Sequence, residues 1–443
     1  MLNIKWVFLF VCMFVVSSCQ SKATSRKEMQ KAIDDEKRDT IAYLKLGRVD
    51  GNSLLIEEDI DMNGCVVFMP RAMTICAKGG IVRNGVVVGS QTKIDGKDIL
   101  FDNVTIRGDW NVPEITTSLF KDLSYENALR NVMALASPKV KNTIVIEKGD
   151  YIVKMKQNAR VGLSLCSNTE LVLNGIIRLL PNNFKNYYII RAKGENISIR
   201  GDGTIIGDKH SHNGSEGEWG MGLEFRSAVN ASVKGLTIKD CWGDCIYVGG
   251  NSQNVLIEDC ILDNGRRQGI SVTKADYVTI RRCTISNVGG TAPGYAIDLE
   301  PNKGDTVDHV LIENVVVKNC LGGIKATRSL KQTNEGKPLS WIGSVKVRNC
   351  DTSASKKFPA LFKGCDSLFV SNCKIVSSNA KPAILTKKVN YVSVIENTLV
   401  DRSDLLSKAK RSAKKILQRG GVELISIEGA KIKKVNANRI ITE

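Results

Sequence analysis

Short apolar runs recur along the chain, and each run has the length of a β-strand. Choosing one apolar residue in each run gives intervals of 27, 33, 23, 24, 27, 27, 37 and 23 residues. A recurrence in this range is typical of solenoids, in which each repeat buries its apolar face against its neighbours. The chosen residues are Leu163, Ile190, Leu223, Ile246, Ile270, Ile297, Ile324, Leu361 and Ile384.

The units between these runs contain strands and turns, with Gly, Asn and Asp at the corners and no long apolar helical stretch. This pattern predicts an all-β protein, a single-stranded parallel β-helix over residues 121–443. An N-terminal β region over 41–120 should start the solenoid. A helix from Ser124 to Ala136 should cap its open end, and a second, basic helix is predicted as an insert at about 403–418.

The N-terminus has the features of an export signal. Lys5 precedes an apolar run that ends in Val16-Ser17-Ser18-Cys19, which resembles the lipobox of bacterial lipoproteins. We therefore predict a signal peptide at 1–18, lipidation of Cys19 and a polar tether at 19–40. The protein should be a membrane-anchored bacterial lipoprotein facing the periplasm or the cell surface. An ordinary secretory signal is the alternative.

Thirteen cysteines in an exported chain suggest disulfides, but their positions indicate otherwise. Six of them close similar phrases, such as LTIKDC and VLIEDC, at one recurring position of the repeat. We expect a buried ladder of free thiols, because Cys there acts as a small apolar residue. The six are Cys241, Cys260, Cys283, Cys320, Cys350 and Cys373.

The formal net charge of +17 favours acidic partners. We expect an acidic polysaccharide and exclude nucleic acid, since the sequence carries export features and no nucleic-acid-binding motif. A generally basic surface beside anionic lipid is the alternative explanation of the charge. We expect a monomer.

Alternation along the strands gathers polar residues into columns on one face. With Ile246, Ile270, Ile297 and Ile324 pointing inward, their successors Tyr247, Ser271, Asp298 and Lys325 share an outward column. Glu300 belongs to the next column, and the following coils offer Phe362 and Leu385. The residues predicted to join this surface from nearby coils and corners are Glu224, Arg226, Asp244, Arg267, Gln268 and Arg328.

A long insertion, residues 208–221, lengthens one coil, and such loops often line the binding surface of a solenoid. His210 and Trp219 in this insertion, and Trp242 near it, are candidate substrate-binding residues. A plain flexible loop, and a Trp242 that packs at the coil corner, are the structural alternatives.

The phrases IVIEKGDYIV, GDGTIIG, WGDCIYVG, RRQGISVT, GYAIDLEPN and GGIKATR resemble the right-handed parallel β-helix proteins of the pectate-lyase-like superfamily. The resemblance covers roughly residues 100–400. It implies a right-handed coil and a substrate groove along one sheet. The superfamily includes polysaccharide lyases, glycoside hydrolases, epimerases and phage tailspikes. The polygalacturonase pattern is incomplete here, since the sequence has GDC where that group has two aspartates, and it has no G-H-G.

Two chemistries suit the column. In the first, Asp298 and Glu300 hold calcium, which neutralises a uronate, and Lys325 or Arg267 removes the adjacent proton, as in the β-eliminating lyases of the superfamily. In the second, Asp298 and Glu300 are the acid and base of a glycoside hydrolase. Asp244 is a further catalytic candidate. The lyase is the leading hypothesis. The remaining alternatives are a non-catalytic glycan-binding or structural surface protein and, for Asp298 and Lys325, a simple surface ion pair.

Overall fold

A computed structural model describes residues 40–123, 128–157, 159–356, 358–377, 382–401 and 424–442. The predicted signal peptide, Cys19, nearly all of the tether and the predicted helix at 403–418 lie outside these residues. Within the described ranges, no helix has the length and apolar character needed to cross a membrane.

The described chain winds into stacked coils whose strands form three long parallel sheets, which confirms the predicted right-handed parallel β-helix. Sheets 1 and 2 are joined because two long strands bend through the corner between them. Sheet 3 contains eleven strands among the described residues. Apolar side chains from all three sheets meet inside and form one continuous core.

Sheet 1 carries the site described below. Its strands are Val161–Leu165, the first parts of Asn186–Arg200 and Trp219–Lys234, then Ile246–Gly249, Ile270–Val272, Tyr295–Leu299, Gly322–Thr327, Phe358–Lys363, Ile384–Lys387 and Ile425–Glu428.

Sheet 2 continues from the same coils. Its strands are Glu114–Thr116, Asn142–Ile146, Thr169–Leu173, the second parts of Asn186–Arg200 and Trp219–Lys234, then Ser252–Glu258, Ala275–Arg281, Thr306–Glu313, Trp341–Arg348, Cys365–Ser371, Tyr391–Ile395 and Ile432–Asn436.

Sheet 3 closes each coil with a short strand. Its strands are Asp150–Val153, Ile176–Leu179, Thr204–Ile206, Thr237–Lys239, Ile261–Asp263, Thr284–Ser286, Val316–Lys318, Asp351–Ala354, Lys374–Val376, Thr398–Asp401 and Arg439–Thr442.

The N-terminal region is also built of strands, nearly all paired in parallel. They are Thr40–Ile41, Arg48–Asp50, Ser53–Ile56, Ile60–Asp61, Val66–Phe68, Thr74–Ala77, Val82–Asp95 and Phe101–Trp110. Single turns of 3-10 helix occupy Tyr43–Lys45 and Thr117–Leu119.

The predicted capping helix is observed in part, as α1, Ala128–Ala134, and the predicted positions 124–127 lie outside the described residues. It buries Leu129 and Val132 against strands at the N-terminal end of the solenoid. Asn131 of this helix accepts a hydrogen bond from the backbone of Ile106, 3.2 Å from Oδ1. The helix therefore covers apolar edges that a terminal coil would otherwise expose.

The predicted register is correct from Leu163 to Ile324, because each chosen apolar residue pairs with the next. The predicted register is wrong at the next chosen residue, Leu361. Ala360, not Leu361, pairs with both Ile324 and Ile384. Phe362 therefore points inward and is fully buried, and Leu361 takes the outward column. The run FPALFK contains adjacent apolar residues, so its alternation is ambiguous, and burial of the larger ring decides the register.

The expected free thiols are confirmed, since all eleven described cysteines are unpaired. They do not form one ladder, however. Cys260 and Cys283 follow strands of sheet 2, whereas Cys241 and Cys320 follow strands of sheet 3. Each of the six phrases ends alike, with a left-handed residue followed by a buried Cys, so two different corners share one sequence pattern. The left-handed residues are Asp240, Asp259, Arg282, Asn319, Asn349 and Asn372.

Candidate functional site

A column of polar residues crosses five adjacent coils of sheet 1. Its members pair in the order Glu224, Tyr247, Ser271, Asp298 and Lys325, as the sequence predicted. Neighbouring strands lie about 4.8 Å apart, so residues distant in sequence become close neighbours. Three of the five side chains, with Asp244 and Gln268 at the adjoining corner, are completely buried. Such burial of polar groups is costly unless they are bonded to one another.

Asp298 is the centre of this network. Its Oδ2 accepts hydrogen bonds from Lys325 Nζ and from Gln268 Nε2, both at 2.7 Å. The Gln268 amide is itself oriented by the backbone N–H of Tyr295, which donates to Oε1 at 2.7 Å. Oδ1 of Asp298 is buried and has no hydrogen-bond partner among the described residues. One oxygen of this carboxyl group is thus held by two donors, and the other is left unbonded.

Arg267 joins the corner to the column. Its Nη1 lies 3.2 Å from Asp244 Oδ2, and its Nη2 donates to Glu300 Oε1. Ser271 Oγ also donates to Asp244 Oδ2, at 2.7 Å. Glu218, from the 208–221 insertion, places Oε1 3.7 Å from Arg267 Nε. One guanidinium therefore ties together three carboxylates from three coils.

Burial has a strong effect on the acids of this cluster. It raises the pKa of Asp298 to about 7, with a further increase from the Glu300 charge and opposing effects of Lys325 and Arg267. Burial likewise raises the pKa of Asp244 to about 6 against the pull of Arg267. Burial by itself lowers the pKa of Arg267. The charges of Asp244 and Glu300 have the larger combined effect, so the pKa of Arg267 is raised. Asp298 is therefore a carboxyl group that holds a proton near neutral pH.

Lys325 lies between the two predicted catalytic carboxylates. Its Nζ is 2.7 Å from Asp298 Oδ2 and 3.9 Å from Glu300 Oε2. Because one ammonium group reaches both, the two oxygens can be separated by little more than the short end of the roughly 6.5–9.5 Å typical of inverting hydrolases. The oxygens that would ligate calcium thus face the cationic groups of Lys325 and Arg267. An ion at this position would have to displace Lys325.

A second charged group lies at the N-terminal end of the column. Glu224 is completely buried between two arginines. Arg191 Nε donates to Glu224 Oε2, and Arg226 Nη1 lies 3.4 Å from Oε1. The Arg191 guanidinium also lies over the Tyr188 ring, 4.5 Å from its centroid. Neither Arg191 nor Tyr188 was predicted. The pairing of Ile190 with Leu223, already contained in the repeat register, would have placed Arg191 beside Glu224.

Trp242 does not lie in this column of polar residues. The His212 ring stacks on its indole with centroids 4.0 Å apart, and the Arg266 guanidinium lies 3.8 Å from its centroid. The side chain of His212 is buried, and its Nδ1 is 2.8 Å from Asp208 Oδ2. Arg266 in turn donates to the carbonyl oxygen of Gly217 at 3.0 Å. Trp242 therefore packs at the corner, where it anchors the 208–221 insertion.

Two other predicted residues also lie away from the cluster. His210 is exposed beside Asp240, which follows a strand of sheet 3, with Nε2 3.2 Å from Oδ1. Arg328 donates from Nε to the carbonyl oxygen of Gly364 at 2.6 Å, at the corner that follows sheet 1. Trp219 begins a strand of sheet 1 directly after Glu218 and is 45% exposed.

Comparison with known proteins agrees with the fold. Residues 174–334 match the family model described as the right-handed β-helix region. Two proteins of Bacillus subtilis (strain 168) are similar in sequence. The uncharacterized protein YclG is 29% identical over 43% of this chain and 38% of its own length. The SPbeta prophage-derived uncharacterized protein YorA is 27% identical over 48% and 40%. The chain thus spans about two fifths of each curated relative.

Several solved structures are similar to this chain at low sequence identity. The A-module of the Azotobacter vinelandii mannuronan C-5 epimerase AlgE6 is 13% identical, with a TM-score of 0.44 over 74% of this chain and 99% of that one. A tailspike mutant of E. coli bacteriophage HK620, in complex with a hexasaccharide, is 15% identical, with a TM-score of 0.49 over 63% and 58%. A putative glycosyl hydrolase from Parabacteroides merdae ATCC 43184 is 16% identical, with a TM-score of 0.35 over 51% and 98%.

Proposed function

We propose that this protein cleaves a polysaccharide by hydrolysis, with Asp298 as the general acid. The observation that carries the proposal is the environment of Asp298. Its carboxyl group is buried beside Glu300, its pKa is raised to about 7, and it has one unbonded oxygen. Glycoside hydrolases need an acid that remains protonated near neutral pH next to a second carboxylate that is ionised.

The hydrogen bonds indicate where the proton resides. Oδ2 of Asp298 already accepts from Lys325 and Gln268, so the proton of the neutral acid belongs on Oδ1. Within the described residues no acceptor takes that proton. A glycosidic oxygen entering the groove would be its acceptor. Because Asp298 is buried, the entering sugar has to move the partly exposed Lys325 and Glu300 side chains aside.

Glu300 is the partner carboxylate in this proposal. Arg267 donates a charge-assisted hydrogen bond to it and fixes its position beside Asp298. In a retaining reaction it would attack the sugar as nucleophile, and in an inverting reaction it would activate water. The anomeric configuration of the first product, measured by NMR, distinguishes these two roles.

The lyase hypothesis is the weaker one because its proposed bases are already engaged. Arg267 is bound to Asp244 and Glu300, and the pKa of its guanidinium is raised from a value that already keeps it charged. Lys325 donates to Asp298 at 2.7 Å, so it would have to leave that contact and lose a proton before acting as a base. Calcium at Asp298 and Glu300 is a separate proposal, tested by the effect of a chelator on activity.

The test is a panel of purified polysaccharides, including polygalacturonate, alginate, chondroitin, xylan and dextran, incubated with the full chain. Hydrolysis predicts new reducing ends without ultraviolet absorbance. Reducing ends accompanied by the absorbance of an unsaturated product would establish a lyase instead. Binding to a polysaccharide without any new reducing end would favour the non-catalytic alternative and overturn the proposal.

Membrane attachment is proposed from the sequence alone. A lipidated Cys19 would place the enzyme on the periplasmic side of a membrane or on the cell surface, where polysaccharides are accessible. Replacing Cys19 with Ser should release the protein from the membrane fraction. Retention of that variant in the membrane fraction would contradict the assignment.

A further inference from the structure

The outward face of sheet 1 has an uneven distribution of charge along the solenoid axis. At its N-terminal end, Glu224 is buried between Arg191 and Arg226, which leaves one excess positive charge. Arg226 is the more accessible cation, with 47% of its side chain exposed. Its register partner on the next coil is Gly249, which has no side chain of its own and is covered by the Tyr247 ring. The aromatic ring therefore borders the cationic end of this surface.

The catalytic end has no such excess of positive charge. Arg267 and Lys325 face the carboxyl groups of Asp244, Asp298, Glu300 and Glu218, and Arg266 lies beside Glu218 through its bond to the Gly217 carbonyl. With Asp298 protonated, three carboxylates balance these three cations. An anionic group would therefore be attracted towards Arg191 and Arg226 and not towards this end.

Tyr247 lies between the two ends. A Cβ at Gly249 would come within 2.8 Å of Tyr247 Cε1 and within 2.8 Å of Thr273 Oγ1, so the glycine leaves room for the tyrosine ring. The Tyr247 hydroxyl is hydrogen-bonded to Thr273 Oγ1 at 2.8 Å, which holds the ring across the strand. This arrangement provides an aromatic surface on which a sugar ring can stack.

We propose that Arg191 and Arg226 form a subsite for the carboxylate of a uronic acid in the substrate. Glu224 and Asp298 are three coils apart, about 14 Å at the usual strand spacing. The acidic sugar would thus lie a few residues along the glycan from the cleaved bond, with an intervening ring on Tyr247. The sugar at the cleavage point itself carries no negative charge. Arginine suits this role because its planar guanidinium matches a carboxylate in two-point contact.

This inference rests on the proposed glycan groove but not on hydrolysis, so binding is measured without turnover. The full chain carrying Asp298→Asn is applied to an array of paired oligosaccharides, in which each uronate oligomer has a neutral counterpart with its carboxyl groups reduced. Sulfated neutral oligomers form a third set, which tests whether sulfate replaces the carboxylate. We expect retention of uronate oligomers, and at least about tenfold weaker binding after Arg226→Ala, the loss expected for one charge-assisted contact.

Two further variants complete the test. Arg191→Lys keeps the charge but not the two-point geometry and should weaken binding less than Arg191→Ala. Arg178→Ala is the matched control, because Arg178 pairs with Asp150 on sheet 3, away from the groove. An unchanged circular dichroism melting curve verifies that each variant folds.

Unaltered binding of uronate oligomers by Arg226→Ala and Arg191→Ala would overturn the subsite. The subsite would also be overturned if the protein retained only neutral or only sulfated oligomers, or if it retained no oligomer at all. The proposed function fails separately. Cleavage of a neutral polysaccharide by the unmodified protein would contradict the proposed uronate subsite and support the proposed hydrolysis. Arginine-dependent binding without any cleavage would support the proposed subsite and contradict the proposed hydrolysis.

Discussion

Lys325 Nζ lies 2.7 Å from Asp298 Oδ2, and the lysine belongs to the coil that follows the aspartate. An ammonium group next to a buried carboxyl group lowers its pKa, so this lysine limits the increase that burial produces. The pair therefore regulates the protonation of Asp298, rather than serving as an ordinary ion pair on a solvated sheet.

Replacing Lys325 with Met should raise the pKa of Asp298 further. Under the hydrolase proposal, the alkaline decline of kcat then moves to higher pH, and activity persists. If Lys325 were instead the base of a lyase, the same change would abolish activity at every pH. The pH profile of kcat distinguishes these outcomes. Lys337→Met is the control, since Lys337 pairs with Glu335 in an exposed position. An unchanged profile for Lys325→Met would contradict the coupling.

The raised pKa of Asp298 also makes stability depend on pH. The folded protein holds this proton up to about pH 7, whereas the unfolded chain releases it near the usual value of 3.8. Stability should therefore decrease as pH rises between those values and then level off. Asp298→Asn removes this contribution, so its stability relative to the parent should increase from pH 4 to pH 8. Urea denaturation at several pH values measures the difference. A constant difference across this range would show that Asp298 titrates normally.

The corner cysteines should react slowly in the native protein. Among the described cysteines, only Cys65 and Cys166 are partly exposed, and the others are buried. Treatment with a thiol reagent, followed by peptide mapping, should label those two first and the buried thiols only after denaturation. Rapid labelling of Cys260 or Cys283 in the native state would contradict their position inside the coil.

The corrected register makes a prediction about two adjacent residues. Phe362 is fully buried, so Phe362→Ala should reduce the free energy of unfolding by about 3–5 kcal/mol. Leu361 points outward, so Leu361→Ala should cost about 1 kcal/mol or less. Denaturant unfolding of both variants measures the contrast. A larger loss for Leu361→Ala would restore the register predicted from the sequence.

The fold could be predicted because a parallel β-helix repeats its core. Each coil buries a residue equivalent to Ile246 or Ile270, so the spacing of such residues reports the architecture directly. The prediction was wrong at Leu361 because alternation fails where apolar residues are adjacent. The prediction of a single cysteine ladder was wrong for a related reason. The same sequence pattern occurs at two different corners of the coil, and only the pairing of complete strands shows that Cys241 follows sheet 3 and Cys260 follows sheet 2.

The candidate site was predictable where it follows the sheet register. Asp298 and Lys325 occupy equivalent positions of consecutive coils, and their contact follows from that equivalence. Side chains on insertions and corners were not predictable, because a loop can reach several coils. Trp242 and His210 illustrate this limit, since their partners are set by the path of the 208–221 insertion.

The most direct test of Asp298 as the general acid compares Asp298→Asn with Asp150→Asn on a polysaccharide that the unmodified protein cleaves. Asp150 is a matched control because it pairs with Arg178 on sheet 3, away from the groove. The measured quantity is the rate at which reducing ends form at pH 6. We predict a loss of about 100-fold or more for Asp298→Asn, as expected for removal of a general acid, and little change for Asp150→Asn. Equal rates for Asp298→Asn and the unmodified protein would contradict the assignment of this site.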